Sequence, residues 1–316
     1  MQTVTAAFQL LADTVRAFLQ DKATLYAAGL AYYAVFSLAP LLVFVIAVAG
    51  FFIGRSAAND QIIRQLQLVL GMELGGFVEE LVTAVSNQNS TGTVTVLSLV
   101  GLFFGAAGIF NQARNSINIL WGLVARRPHS TRDWLLMARS RAIPFLMVFL
   151  FGLVLSAVVL LDTLLGMVQH RLVILFPELA QALPSVSRIL VPLLTFATFA
   201  FIYKLLPDAR GRWRDILPGA LLATALFLVG RTLLVFFLDR SQTGSAFGSA
   251  GSLVVLLVCV YFSSNILLLG AEFIKLYALR HGRPIRPNTV ARFEGDPVME
   301  EPPPGPAELP LDERVL

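Results

Sequence analysis

Long apolar runs dominate the pattern of hydrophobic and polar positions along this chain. Six of them are long enough to cross the hydrocarbon core of a bilayer, which takes about 20 residues of helix. None alternates apolar and polar residues as a barrel strand does. The pattern predicts an all-α, polytopic integral membrane protein with six transmembrane helices, at about residues 27–54, 93–121, 142–168, 188–206, 218–238 and 250–279.

Amphipathic segments accompany these spans. Residues 1–24 place Val4, Phe8, Leu11, Val15 and Phe18 at helical spacing, with polar residues on the other faces. This spacing predicts an N-terminal amphipathic helix, which lies either on the membrane surface or against the cytoplasmic end of the bundle. The connection at about 55–92 repeats apolar residues at steps of three and four, and predicts one or two amphipathic helices on the outer face.

Composition agrees with a membrane location. The 316 residues are 56% hydrophobic and only 14% charged, whereas soluble domains carry about 25% charged residues. The single cysteine, Cys259, lies in an apolar run and excludes an intramolecular disulfide. No cofactor or metal site is predicted.

The distribution of Lys and Arg predicts the orientation. Fifteen of these residues fall in the termini and in the connections on one side of the predicted bundle, against four on the other side. Positive residues concentrate on the cytoplasmic side, so both termini are predicted to be cytoplasmic. This placement also explains the net charge of +4, and no nucleic-acid partner is expected. Residues 25–280 form the predicted transmembrane domain, and the Pro- and Glu-rich segment 281–316 is predicted to be a disordered tail.

Polar residues inside the second span are the most informative feature. Asn111, Arg114, Asn115 and Asn118 follow one another at steps of three and four, and therefore share one helical face. Polar groups within a bilayer are costly unless they find partners. The face is either part of a structural polar network or the lining of a water-filled cavity or substrate path.

Two other spans carry polar faces. In the first span, Tyr33 and Ser37 share a face with Gly29, which is typical either of a packing seam or of a helix that lines a cavity. In the sixth span, Asn265 and Glu272 lie along one face. These residues complete the candidate intramembrane polar site.

The depth of the charged residues suggests ion pairs. Arg114 and Glu272 both lie in the inner half of their spans, and Arg231 and Asp162 both lie in the outer half. Charges within a bilayer usually pair, so we predict the pairs Arg114–Glu272 and Arg231–Asp162, with Asp239 as a rival partner for Arg231. We interpret the outer pair as a structural clamp and the inner pair as part of a functional site.

Four segments of the chain form a recognisable combination: AAGLAYYAVFSLAPLLV (27–43), FNQARNSINILWG (110–122), RWRDILPGALLATALF (212–227) and FGSAGSLVVLLVCVYFSSNILLLGAEF (247–273). Together they resemble the YihY/BrkB family of bacterial inner-membrane proteins. The resemblance implies six membrane helices in the cell inner membrane, and it suggests a lipid or lipopolysaccharide-like substrate. An older label of the family is ribonuclease BN.

A ribonuclease would need an acid–base pair or a metal cluster in water. The three histidines, His129, His170 and His281, stand apart along the chain and belong to no metal-binding or paired-carboxylate motif. The protein is therefore not expected to be an enzyme.

Two functions stay open. The first is a transporter or a flippase for a lipid or envelope component, passive or ion-coupled because the chain has no ATP-binding motif. The second is a non-transporting protein of envelope assembly, or a scaffold. Membrane lipids are the expected partners of both. A transporter predicts a continuous polar cavity that reaches Arg114, Asn115 and Glu272, whereas a scaffold predicts that these residues lie in dry, fully bonded contacts.

Overall fold

A computed structural model of the chain describes residues 2–70, 107–126, 177–240 and 251–296, together with 131–160 apart from positions 132, 137, 141, 152, 155 and 157–159. Helices make up most of these ranges. In chain order they are α1 (Gln2–Gln20), α2 (Ala23–Ile53), α3 (Arg55–Leu70), α4 (107–120), α5 (Asp133–Phe151), α6 (Pro177–Leu205), α7 (Trp213–Arg240) and α8 (Gly251–Arg280).

Several of these helices have the length and the apolar character of membrane spans. Asp133–Phe151, Trp213–Leu233 and Leu253–Arg280 are each long and apolar enough to cross a bilayer, and Val191–Leu205 is a shorter apolar helix. At 1.5 Å per residue, the 30 residues of α8 extend for about 45 Å. The predicted six spans include segments outside the described residues, so the number of spans stays a prediction.

Helix α8 lies at the centre of the helix bundle, where it packs against α1, α2 and α7, while α6 packs against α7. Small residues let α7 and α8 approach closely. A side chain at Gly219 would come within 2.8 Å of the Ile274 Cδ1, and one at Gly270 within 3.1 Å of the Ala223 Cβ. Such contacts are typical of helix packing within membranes.

The outward faces of the long helices are apolar. Large hydrophobic side chains that would be buried in a soluble domain are more than half exposed on α2, α5 and α7. Water-soluble monomers rarely expose apolar surface on this scale, so these faces are the lipid-facing surface. Examples are Phe36, Phe51, Leu146, Leu221 and Leu233.

Two short β-ribbons join the helices, which the all-α prediction missed. Strand β1 (Leu123–Ala125) pairs antiparallel with β4 (Ala291–Phe293), and β2 (Ala209–Arg210) pairs antiparallel with β3 (Arg286–Pro287). The prediction of disorder is therefore wrong for residues 281–296. It rested on the Pro and Glu content of the whole tail, which is concentrated in residues 297–316, outside the described residues.

Helix α1 packs against the bundle, which is one of the two predicted positions for it. It buries Leu10, Thr14 and Phe18 and contacts α8 and α2. Phe8 and Val15, which the periodicity placed on the same stripe as Phe18, are instead exposed. Helix α3 begins the predicted outer amphipathic segment, and residues 71–106 lie outside the described part of the chain.

Candidate functional site

A buried ion pair joins α4 to the connection between α6 and α7. The guanidinium of Arg114 donates from Nε to Asp208 Oδ2 at 3.0 Å, and from Nη2 to Oδ1 and Oδ2 at 2.8 and 2.7 Å. Only 8% of the Arg114 side chain and 12% of the Asp208 side chain are exposed. The two-pronged geometry is the strong form of an arginine–carboxylate contact.

The remaining donor capacity of Arg114 is directed to α5. Its Nη1 donates to the Ser140 carbonyl oxygen at 2.9 Å, and its Nη2 donates to the Ser140 hydroxyl oxygen at 3.0 Å. One guanidinium therefore links α4, α5 and the α6–α7 connection. Because each of its three nitrogen atoms has a partner, the burial of this charge is compensated.

Asp208 is held from two more directions. Asn118 donates its side-chain N–H to Asp208 Oδ2 at 2.8 Å and accepts the Asp208 backbone N–H at 2.8 Å. From the β3–β4 turn, the Asn288 backbone N–H donates to the Asp208 carbonyl oxygen at 3.0 Å, and its side chain donates to Oδ1 at 3.3 Å. The Asp208 carboxylate therefore joins three segments of the chain, namely α4, the α6–α7 connection and the β3–β4 turn.

A cavity of about 780 Å³, lined by both polar and apolar residues, opens beside this cluster, and we call it the polar cavity after the asparagines on its α4 wall. Asn111 and Asn115 are exposed on its α4 wall, next to Arg114 and Asn118. The lining runs along α4 from position 107 to position 119, a length of about 18 Å at the helical rise. The other walls come from β1, the middle of α5, the α6–α7 connection, and β4 with the turn before it. They include Val124, Ser140, Phe145, Asp208 and Val290.

Four of the predicted site residues, Asn111, Arg114, Asn115 and Asn118, are therefore brought together as their spacing indicates. Asp208 lies in a connection between helices, so the depth of charged residues within the spans could not predict it as the partner of Arg114. A signal was present in the sequence, since Asp208 immediately precedes the arginine-rich loop that follows the fourth apolar run.

The predicted pair Arg114–Glu272 is wrong. Glu272 is 0% exposed, and its Oε1 lies 3.0 Å from the Lys275 Nζ, which in turn lies 3.0 Å from Asp21 Oδ2. Helices α4 and α8 are neighbours, since the Trp121 indole donates to the Ala271 carbonyl oxygen at 3.0 Å. Equal depth did not specify the direction of the side chain, however, and Glu272 does not contribute to the cavity lining.

The other predicted polar residues lie apart from the cluster. The Tyr33 ring packs against the cavity-lining Gly108, where an added Cβ would be 3.2 Å from Tyr33 Cδ1. Ser37 is buried and donates to the Ala34 carbonyl oxygen at 3.1 Å. Asn265 is half-buried and donates to the carbonyl oxygen of Tyr261 in its own helix at 2.7 Å.

The outer pair is not tested, because Asp162 lies outside the described residues. Arg231 is half-buried in α7, and the clamp between Arg231 and Asp162 stays a prediction. Within the described ranges, no group of three or more His, Cys, Asp or Glu residues is placed to hold a metal ion.

Comparisons with known proteins agree with this membrane architecture. A UPF0761 membrane protein of Xanthomonas campestris is 27% identical over 268 residues, and a similarly named protein of Xanthomonas axonopodis shows the same identity over the same length. These alignments cover 81% of this chain and 58% of each relative, so the chain spans less than two thirds of the length of these proteins. The ribonuclease-like protein YfkH of Bacillus subtilis is 24% identical over 261 residues, which cover 81% of this chain and 89% of that protein.

No solved structure matches the chain. The family model described as Virulence factor BrkB matches residues 14–292, which is most of the sequence. This match confirms the resemblance noted from the four sequence segments. The chain belongs to the Virulence factor BrkB family of membrane proteins.

Proposed function

We propose that this protein is a transporter or flippase for a lipid or envelope component in the bacterial inner membrane. In this proposal the chain crosses the membrane six times, both termini are cytoplasmic, and transport is passive or ion-coupled. The arginine-rich connections and the six apolar runs support the topology. The substrate class rests on the family resemblance.

The polar cavity beside α4 carries the proposal. A membrane helix that only packs has no need of exposed amides, yet Asn111 and Asn115 present theirs to a cavity of about 780 Å³. Such a volume falls in the range of small-molecule sites. Polar side chains that face a cavity within a helix bundle commonly mark a substrate path.

A non-transporting scaffold is the second candidate, and one observation favours it. The Arg114–Asp208 cluster is fully bonded, and Glu272 is buried away from the cavity with Lys275 as its partner. Of the three residues that a transport path was expected to join, the cavity includes Arg114 and Asn115 only. The ion pairs therefore stabilise the fold under both proposals. The asparagines of α4 distinguish the transporter from the scaffold.

We also propose that the protein is not a nuclease. The name of the Bacillus relative describes that protein, and the part of this chain that the structure describes shows no acid–base pair of the kind that hydrolysis of RNA needs. His281 is exposed, and its Nδ1 lies 2.8 Å from the Tyr277 carbonyl oxygen. The other two histidines lie outside the described residues.

The experiment is a flux assay in proteoliposomes that hold a fluorescently labelled phosphatidylglycerol. Dithionite quenches the label in the outer leaflet only, so additional quenching measures movement between the leaflets. The variant Asn111→Leu/Asn115→Leu fills the polar wall with apolar side chains, and we expect it to abolish movement. Asn265→Leu is the matched control, because it makes the same change on α8 outside the cavity lining.

The outcomes separate the two candidates. A transporter shows movement in the unmodified protein and in Asn265→Leu, but not in the double variant. A protein that folds in the vesicles and moves neither the labelled lipid nor other envelope lipids supports the scaffold. Equal movement by the double variant contradicts a path along the asparagine face.

A further inference from the structure

A second pocket, of about 310 Å³, lies where α7 begins and α8 ends. Four arginines contribute to its walls, together with other residues of the segment that follows α8. It shares no lining residue with the polar cavity. The arginines are Arg210, Arg212, Arg283 and Arg286.

The β2–β3 ribbon forces two of these charges together. Arg210 is the antiparallel partner of Arg286, so the two side chains leave the ribbon on the same face. Like charges placed directly opposite each other destabilise a ribbon. Both side chains are exposed, and in the part of the chain that the structure describes neither Arg210, Arg212 nor Arg286 forms a salt bridge.

Within the described ranges, one of the four guanidinium groups has a carboxylate partner. Arg283 lies 2.9 Å from Asp215 Oδ1, a carboxylate in the first turn of α7 that is almost fully buried. This contact fixes Arg283 at the wall of the pocket. It leaves three positive charges around a space that a small anion can enter.

The position of the pocket points to the headgroup layer of a membrane. The candidate span of α7 begins at Trp213, and that of α8 ends at Arg280, so the pocket lies at the polar ends of two adjacent spans. The positive-inside pattern requires arginines on this side of the protein, but it does not require four of them around one cavity. Basic pockets between membrane helices on the cytoplasmic side bind anionic headgroups.

We infer that this pocket binds the phosphate of an anionic phospholipid headgroup through Arg210, Arg212 and Arg286, with Arg283 positioned by Asp215. Guanidinium groups match the oxygen atoms of a phosphate in a two-pronged geometry. A soluble phosphate ester presents the same group, so the experiment must separate the two sources. The inference does not depend on transport, because the site and its residues differ from those of the polar cavity.

The test uses the full chain in detergent and measures lipid retention by native mass spectrometry and thermal unfolding. The probes are phosphatidylglycerol, phosphatidylcholine and inorganic phosphate. The variant Arg210→Gln/Arg286→Gln removes the two opposed charges. The matched control, Arg16→Gln/Arg139→Gln, removes two exposed arginines outside the pocket.

We expect the unmodified protein to retain phosphatidylglycerol in preference to phosphatidylcholine, and the pocket variant to bind it about 30-fold more weakly, since each basic residue near the membrane surface contributes to binding. The control keeps the preference. Without lipid, the pocket variant unfolds at the same or a higher temperature, because the repulsion between β2 and β3 is gone.

One result would be that inorganic phosphate stabilises the unmodified protein but not the pocket variant, while the unmodified protein shows no preference for phosphatidylglycerol. This result assigns the site to a soluble phosphate compound and overturns the lipid as the source of the phosphate. Equal retention of phosphatidylglycerol by the unmodified protein and the pocket variant overturns the inference altogether.

Discussion

The Tyr203 hydroxyl lies against Gly270 and donates to the Leu267 carbonyl oxygen at 2.8 Å. Tyr203 is buried on α6, so this contact brings α6 onto α8 at the position where α8 also meets Ala223 of α7. A side chain on Gly270 would overlap the hydroxyl. The glycine therefore permits three helices to meet.

This relationship predicts that Gly270→Ala destabilises the protein by about 1–3 kcal/mol, as overpacking of a filled core does. Tyr203→Phe removes the hydroxyl and should cost about 1 kcal/mol. The two changes combined should destabilise by less than their sum, because the phenyl ring relieves the overlap. Thermal unfolding in detergent measures all three variants.

Gly29→Ala is the control for this cycle. Among the described residues, an added Cβ there meets only the end of the flexible Gln112 side chain, at 3.1 Å, so a small effect is expected. Additive effects of Gly270→Ala and Tyr203→Phe would show that the hydroxyl is not what excludes a side chain at position 270.

Removal of the Asp208 carboxylate is expected to destabilise the protein more than the removal of most other single charges. Asp208→Ala leaves the buried Arg114 guanidinium without its carboxylate, and breaking a buried pair costs about 3–5 kcal/mol. The amount of monodisperse protein after extraction and the temperature of unfolding measure the loss. Asp13→Ala is the control, because its pair with Arg280 is exposed and contributes about 0–1 kcal/mol. Equal effects of the two variants would contradict the central role of Asp208.

The buried Glu272 gives a prediction of the opposite kind, in which a second change restores stability. Lys275→Met removes the cation 3.0 Å from a carboxylate that is 0% exposed, and it should cost about 1–3 kcal/mol, because the Lys275 side chain is 33% exposed and the stranded carboxylate can take up a proton. Glu272→Gln in the same chain removes the stranded charge and should recover most of that loss. Unfolding temperatures of the single and double variants test this, and a double variant no more stable than Lys275→Met would show that the lost stability has another source.

The segment after α8 is expected to be structural up to residue 296. A chain that ends at Ile285 lacks β3, β4 and the Asn288 contacts with Asp208, and each lost hydrogen bond should cost about 1 kcal/mol. A chain that ends at Asp296 keeps all of them. Limited proteolysis and thermal unfolding should separate the two truncations, and equal stability of both would contradict a structural role for the ribbons.

The sequence predicted those features that a single helix determines by itself. The steps between Asn111, Arg114, Asn115 and Asn118 place them on one face wherever the helix lies, and the structure has them together beside the cavity. The partner of Arg114 depends on how helices and loops are arranged around it, which depth along a span does not specify. Asp208 and Asn288 reach the cluster from segments outside the helices. The composition of these segments indicates only a basic loop and a polar tail.

The proposed topology leads to a labelling prediction, for which the single cysteine gives a simple background. Cys259 is half-buried in the apolar α8, so Cys259→Ala should preserve the fold. Ser56 at the start of α3 and Thr289 in the β3–β4 turn are both exposed. In the proposed topology, which rests on the excess of arginine, Ser56 lies outside and Thr289 lies in the cytoplasm. In spheroplasts, a membrane-impermeant maleimide should therefore label Ser56→Cys and leave Thr289→Cys unlabelled until the membrane is opened, whereas the reverse pattern would show that the termini are outside.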